Sequence, residues 1–277
     1  MTISSTPGIT TTENLVAGWL TPDEFSILEV VCETLLPSLE PPTESSDAVA
    51  AYYRRSAHDL NIAQLVAETL SFENEQAKAD FRKLVALLSS PAAGLMLAGV
   101  PRPFKALTQK KRETYLTAMA NSPLGQLRQG YQSIKRLSGF VFFAATDSTG
   151  VNPNWEALDY QAPAPPANIP QPIKPLRITG DITLEADAVI IGSGAGGGVV
   201  AGELAMAGKN VIVLEKGSYN NEANFTLLEA QATPELYLKR GTLTTKDLGV
   251  IVLAGSTLGG GTVVNWTTPQ FFRESTI

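Results

Sequence analysis

Six residues, Gly192-Ser193-Gly194-Ala195-Gly196-Gly197, follow the apolar run "DAVII" and open a stretch of small residues, "GAGGGVVAGELAMAG". G-x-G-x-x-G at a strand-to-helix turn is a pattern suited to anion binding. Gly192 permits a tight turn, Gly194 lets the backbone approach a pyrophosphate, and Gly197 lets the helix pack close to the strand. The helix N-terminus supplies free amides and the positive end of a dipole. A second apolar run, "NVIVLEKG", carries Glu215, eighteen residues beyond Gly197, near the ~20 of the dinucleotide fingerprint. A carboxylate there accepts hydrogen bonds from adenosine ribose hydroxyls and disfavours a 2′-phosphate, which speaks against NADP.

A second glycine cluster lies downstream in "LAGSTLGGGTVVNW", Leu253 to Trp266. Consecutive glycines weaken helix and strand and mark a turn, a positive φ or a close backbone approach to a ligand. Alone, this cluster reads as a hairpin turn. Beside the first cluster it reads as a second backbone surface for a bound dinucleotide, through Gly255, Thr257, Gly259, Gly260, Gly261, Thr262 and Asn265. The fingerprint does not separate FAD from NAD. The segment beyond Glu215 does, because a plain NAD domain continues through βα repeats, whereas this chain runs into "NFTLLEAQATPELYLKRGTLTTKDLGVIVLAGSTLGGG".

The elements that position these residues divide the chain in three. Residues 1–150 read as an all-α helical domain. In "TPDEFSILEVVCETLLPSL", Thr21 caps, Pro22 suits the first turn, Glu24 completes a capping box, and Phe25, Leu28, Cys32 and Leu35 form one stripe. Similar patterns recur in "AVAAYYRRSAHDLNIAQLVAETL", "NEQAKADFRKLVALLSS", "TQKKRETYLTAMANS" and "PLGQLRQGYQSIKRLSGFVFFAAT". Residues 151–180 hold seven prolines and read as an extended linker, with "NPNW" at its head able to dock Trp155 on a neighbouring domain. Residues 181–277 read as α/β, the N-terminal part of a Rossmann-like FAD-binding domain that is incomplete. Its uninterrupted apolar runs suit parallel strands covered on both faces.

Composition narrows the function classes. The 277 residues are 44% hydrophobic and 17% charged, with a net charge of −6, which argues against nucleic acid as a partner. A single cysteine, Cys32, excludes an internal disulfide framework. The first nineteen residues lack the basic start and apolar core of a signal peptide. "GFVFFAA" is far short of the roughly 20 residues of a transmembrane helix. The expected location is cytoplasmic or peripherally membrane-associated. Arg128, Lys135 and Arg136 before an aromatic run offer a membrane contact, although a packed helix with a solvated basic face explains them more simply.

"GSGAGGG…VIVLEKG…YLKRGTLTTKDLGVIVLAGSTLGGGTVVNWTTP" resembles the flavin-binding half of a glucose–methanol–choline (GMC) oxidoreductase. The wording "AGSTLGGGTVVNW", and upstream "LRQGYQSIKRLSGFVFF…NPNWEALDY", is similar to the long-chain fatty alcohol oxidase branch. The resemblance implies FAD, contacted by Gly192, Ser193, Gly194, Ala195, Gly196, Gly197, Glu215 and the segment from Gly255 to Asn265. It also implies an alcohol substrate, long-chain and aliphatic, oxidised to an aldehyde, with oxygen or another acceptor reoxidising the flavin. Two positions depart from the broader family: Ser256 replaces a basic residue, and Gly259-Gly-Gly-Thr262 replaces "GGSS". Val264 stands where some members tether the flavin through histidine, so a dissociable flavin is expected.

The family's catalytic histidine, with its His or Asn partner, lies near the end of a longer chain. The single histidine here, His58, matches no catalytic motif. No catalytic residue is therefore assigned, and the chain reads as an N-terminal fragment of an alcohol-oxidising flavoenzyme. A non-catalytic dinucleotide-binding module, or one half of a split enzyme, is the alternative. No metal site is expected.

Overall fold

The computed structural model describes residues 18–161, 169–245 and 250–265. The N-terminal tail and the linker prolines Pro163, Pro165 and Pro166 lie outside the described residues. By contacts the chain divides into two compact units, Met1–Ala162 and Pro163–Ile277.

The first unit is helical: α1 (Pro22–Leu35), α2 (Asp47–Arg54), α3 (Ile62–Ser71), α4 (Glu75–Leu88), α5 (Pro91–Ala98), α6 (Gln109–Ala120) and α7 (Gly125–Ala144). The capping box opening α1 forms as its sequence requires: the Glu24 amide donates to Thr21 Oγ1 and the Thr21 amide to Glu24 Oε2. The stretch from Ala48 to Leu70 is two helices, because the chain turns at His58–Asn61. The Ser56 amide donates to Asp59 Oδ2, and Asn61 adopts a left-handed φ of 52°. The core gathers Leu28, Val31, Ile62, Val66, Leu88, Phe104, Tyr115 and Met119. Phe104 and Tyr115 meet edge to face at 5.2 Å, a favoured aromatic geometry.

The aromatic end of α7 packs inward, with Val141, Phe142 and Ala144 buried. Arg128 donates to the Ser122 carbonyl and Lys135 lies over the Tyr131 ring. This stretch is a packed helix with a solvated basic face. The "NPNW" segment caps it. Asn152 and Asn154, both fully buried, donate to the Phe142 carbonyl at 3.0 and 2.9 Å. Trp155 Nε1 donates to the Phe143 carbonyl at 3.0 Å, and Arg55 reaches Asn154 Oδ1 at 2.6 Å. These bonds satisfy carbonyls that a helix end leaves orphaned, and they hold the chain in the first unit beyond Gly150.

The second unit contains β1 (Ala188–Ile191), α8 (Ala195–Met206), β2 (Val211–Leu214) and α9 (Glu229–Leu236). β1 and β2 form a small parallel sheet in register from Ala188↔Val211 to Ile191↔Leu214. The expected covering on both faces is not present among the described residues. Ile191 is 88% exposed, Val189 and Leu214 are about half exposed, and α8 buries none of its residues. One helix against two strands leaves an apolar face uncovered.

Candidate cofactor site

β1 leads into Gly192, whose φ of +92° turns the chain while its amide continues the ladder to the Leu214 carbonyl at 2.8 Å. α8 then starts at Gly194 with no side chain capping its N-terminus, so its first amides remain available to an anion. Gly197 cannot carry a side chain, because a Cβ would stand 2.0 Å from the Gly192 carbonyl oxygen. Gly194 and Gly196 differ: a Cβ at either would meet nothing in the protein within 4 Å, and neither has a positive φ. Packing within the chain therefore does not require glycine at either position. Open space at such positions is what close approach of a phosphate to the backbone would need.

The second cluster sits against the first. Ser218 and Thr257 form an isolated parallel bridge, and the Leu258 amide and Thr257 Oγ1 both donate to the Ser218 carbonyl, at 3.0 and 2.8 Å. Gly217 allows this approach, since a Cβ there would lie 2.2 Å from Ser256. Gly260, at φ +58°, brings its Cβ direction to 3.0 Å from Gly194 Cα. Thr257 is fully buried and its hydroxyl is spent on Ser218, so it fastens the loop. Ala195, Gly196, Gly261, Thr262 and Asn265 are exposed around it, with Asn265 Nδ2 donating to the Thr262 carbonyl. Gly255 is packed to the Gly260 carbonyl, 2.4 Å from where a Cβ would stand.

Glu215 and Ser193 join the two clusters. Glu215 Oε2 accepts from the Ser193 amide at 2.9 Å and from Ser193 Oγ at 2.6 Å, while Oε1 accepts from the Gly217 amide at 2.8 Å. Ser193 Oγ in turn accepts from the Gly259 amide at 2.9 Å. Burial pushes the Glu215 carboxyl upward, but the Gly217 and Ser193 donors outweigh it and hold the group below the usual range. Glu215 thus remains an anion, and Oε1 keeps acceptor capacity beyond its single bond. Spacing alone points to Glu215 as a ribose acceptor. It does not reveal that the same carboxylate braces the first glycine loop, although a serine inside the fingerprint is an available signal. Tyr237, which no motif singles out, bridges to Gly255 and reaches the Val264 carbonyl at 3.4 Å.

His58 lies in the first unit, exposed, with its backbone amide donating to Glu33 Oε2. No cluster of metal-ligating side chains occurs among the described residues.

A dinucleotide fits the anion-binding amides, the two unfilled glycine positions and the ionised acid at the strand end, and residues 187–232 match the family model of an FAD binding domain. This is an FAD-binding protein. The chain is 31% identical over 87% of its length to long-chain-alcohol oxidase FAO4A of Arabidopsis thaliana, and 29% identical over 90% to long-chain-alcohol oxidase FAO3 of the same plant. A GMC-type oxidoreductase of Mycobacterium tuberculosis is 44% identical over 32% of the chain. The chain thus resembles the long-chain-alcohol oxidases over most of its length and GMC-type oxidoreductases over about a third of it. It spans about two fifths of the length of those plant relatives, 42% and 40%. No solved structure matches it.

Proposed function

We propose that this chain supplies the helical region and the adenine-nucleotide side of a Rossmann-like FAD domain in an alcohol-oxidising flavoenzyme. The substrate class is primary alcohols with long aliphatic chains, converted to aldehydes, and oxygen is the acceptor favoured by the relatives' names. The observation that carries this reading is the junction of the two glycine clusters through Ser193 and Glu215. The α8 N-terminal amides would hold the pyrophosphate, Glu215 Oε1 the ribose, and the exposed amides around Gly261 the flavin side. When bound, FAD supplies a two-electron acceptor for the hydride leaving the alcohol carbon. The chain's own residues bind and orient that group.

The proton of the alcohol needs a base. His58 is a poor candidate, being exposed in the helical unit, and Glu215 is held as an anion by the loop it braces. The base is therefore assigned to polypeptide outside the described residues. The exposed faces of β1 and β2 favour the same view. A parallel sheet is normally covered on both sides, so further polypeptide, continuous with this chain or separately encoded as in a split enzyme, would complete the second unit. With Val264 in place of a tethering histidine, the flavin would dissociate.

The test is FAD titration of the purified protein, read by quenching of flavin fluorescence, followed by anaerobic addition of dodecanol and observation of flavin bleaching. Saturable FAD binding with bleaching only when the completing polypeptide is present is the expected result. Failure to bind FAD under any of these conditions would overturn the reading. Bleaching at enzyme-like rates by residues 1–277 alone would overturn the placement of the base.

A further inference from the structure

The stretch from Leu176 to Leu184 reads Leu-Arg-Ile-Thr-Gly-Asp-Ile-Thr-Leu. Apart from the glycine, apolar and polar residues alternate without a break, and Ile178, Thr179, Ile182 and Thr183 are β-branched. This is the pattern of a strand with one face covered. Yet among the described residues no hydrogen bond reaches residues 172–184, and they form no strand. Leu176 is 66% exposed, and Ile178, Ile182 and Leu184 are about half exposed. Only the flanks are held. The Asn221 side chain donates to the Pro170 carbonyl at 3.4 Å, and the Asn210 side chain to the Glu185 carbonyl at 3.2 Å. A strand with unpaired backbone is a template for pairing with another chain.

The order of the side chains points to which chain. The apolar-face positions, Leu176, Ile178, Gly180, Ile182 and Leu184, read the same in both directions. Set antiparallel against a second copy about a two-fold axis at Gly180, Leu176 stands opposite Leu184 and Ile178 opposite Ile182, twice over. The other face is complementary in charge. Arg177 stands across from Thr183 and diagonal to both Asp181 and Glu185 of the second copy. Diagonal neighbours lie about 7–8 Å apart, within reach of a long side chain. The two Asp181 are diagonal to each other as well, each with an Arg177 on its other side, and no like charges stand directly opposite. Gly180 suits the axis, because a Cβ there would meet nothing in its own chain, and glycine inside a strand marks close approach of another backbone. The unpaired chain bends at Gly180, and pairing would straighten it. Pro172 and Pro175 lack amide donors and limit the ladder at its ends.

We infer that residues 176–184 pair with the same residues of a second copy, in an isologous antiparallel ladder that joins two chains. A different polypeptide would gain nothing from a palindromic order or from charges complementary to themselves. A two-stranded ladder is marginally stable by itself, so the dimer forms as concentration rises. The interface uses none of the residues assigned to the flavin site.

The experiment is sedimentation equilibrium of the purified chain from low to high micromolar concentration, with amide exchange over residues 176–184 followed at both ends of the range. The mass should rise from 29.5 kDa toward twice that value, and exchange should slow only where dimer is present. Ile178→Lys with Ile182→Lys should hold the chain monomeric. Arg177→Glu should weaken association about tenfold or more, since each copy loses an attraction and gains a repulsion. Asp181→Lys with Glu185→Lys should do the same. Mixing that variant with Arg177→Glu places opposite charges at both ends of the ladder, so a mixed dimer should form where neither variant pairs alone. All these side chains are exposed, so unchanged thermal unfolding separates lost pairing from lost folding. Gly180→Cys should give a disulfide-linked dimer on oxidation, while the native Cys32 is buried and stays unreacted. A chain that remains monomeric, a dimer that survives Ile178→Lys with Ile182→Lys, or a mixture that fails to pair would overturn the inference. So would protection of residues 176–184 in a monomer bound to the polypeptide that completes the second unit, which would assign the strand to that polypeptide.

Discussion

Ser193→Ala removes one oxygen that serves two partners. The hydroxyl donates to Glu215 at 2.6 Å and accepts from the Gly259 amide at 2.9 Å, while the backbone bond from Ser193 to Glu215 survives the substitution. A hydrogen bond to an ionised partner contributes about 1.5–3 kcal/mol, and an orphaned amide costs about 1–3 kcal/mol when fully buried. Ser193 and Glu215 are only partly buried, so water can replace part of what is lost. The net weakening is about 1–2 kcal/mol, or roughly five- to thirtyfold in the docking equilibrium of the second glycine cluster. Backbone amide exchange from Leu258 to Thr262 should accelerate by that factor in the flavin-free protein. FAD should bind more weakly by a similar factor, because a loop no longer pre-ordered must be ordered on binding. Ser193→Thr, which keeps the hydroxyl, should recover most of both effects. If Ser193→Ala left exchange and affinity unchanged, the bridge would carry no energy. If exchange rose while affinity held, the second cluster would not take part in holding the cofactor.

Other consequences can be checked separately. Gly194→Val should leave thermal unfolding near wild type, since a Cβ at this position meets nothing within 4 Å, yet abolish flavin absorbance in the purified protein; yellow protein would contradict the placement of the pyrophosphate. Gly197→Ala should lower both stability and flavin content, because its Cβ strikes the Gly192 carbonyl. Glu215 has a folded pKa below its unfolded value of about 4.5, so the native state binds fewer protons. Its contribution is then complete above the unfolded value and lost as pH falls through the folded one, and FAD affinity measured down to about pH 3 should drop in that window. Asn154→Ala takes a donor from the Phe142 carbonyl and an acceptor from Arg55, which should cost about 2 kcal/mol and lower Tm by about 4–8 °C, read by calorimetry. His58→Gln should leave alcohol-dependent flavin bleaching and its pH profile unchanged in the complete enzyme.

The features legible in the sequence are local. Thr21 and Glu24 are three residues apart and announce the start of α1. Gly192 to Gly197 announce a strand-to-helix turn because each glycine acts within one turn of chain. Interactions between distant residues stay hidden. Gly259 meets Ser193 across 66 positions, and no spacing rule joins them. Asn152 and Asn154 stand at the head of the stretch that reads as an extended linker, yet both cap the helix that precedes them. α5 carries no helical period, because a segment apolar on every side has no polar face to reveal one. The strands mislead in the opposite direction. Their apolar runs imply two covered faces, and the described residues cover only part of them.

The glycines separate fold from function more finely than the fingerprint does. At Gly197, Gly217 and Gly255 a Cβ would strike backbone atoms at 2.0, 2.2 and 2.4 Å, so the protein's own packing demands glycine there. At Gly194, Gly196 and Gly261 a Cβ would meet nothing within 4 Å, and packing alone would tolerate alanine. Glycine loses more conformational entropy on folding than alanine does, a cost of about 0.5–1 kcal/mol in a helix. Gly196 bears that cost inside the first turn of α8 with no contact to explain it. Under the proposed reading, a contact from outside the chain, made where FAD's phosphates would lie, would account for glycine at these open positions. Gly197 and Gly255 shape the two loops and Gly217 lets them meet, while the proposed cofactor would use the second set as an open surface.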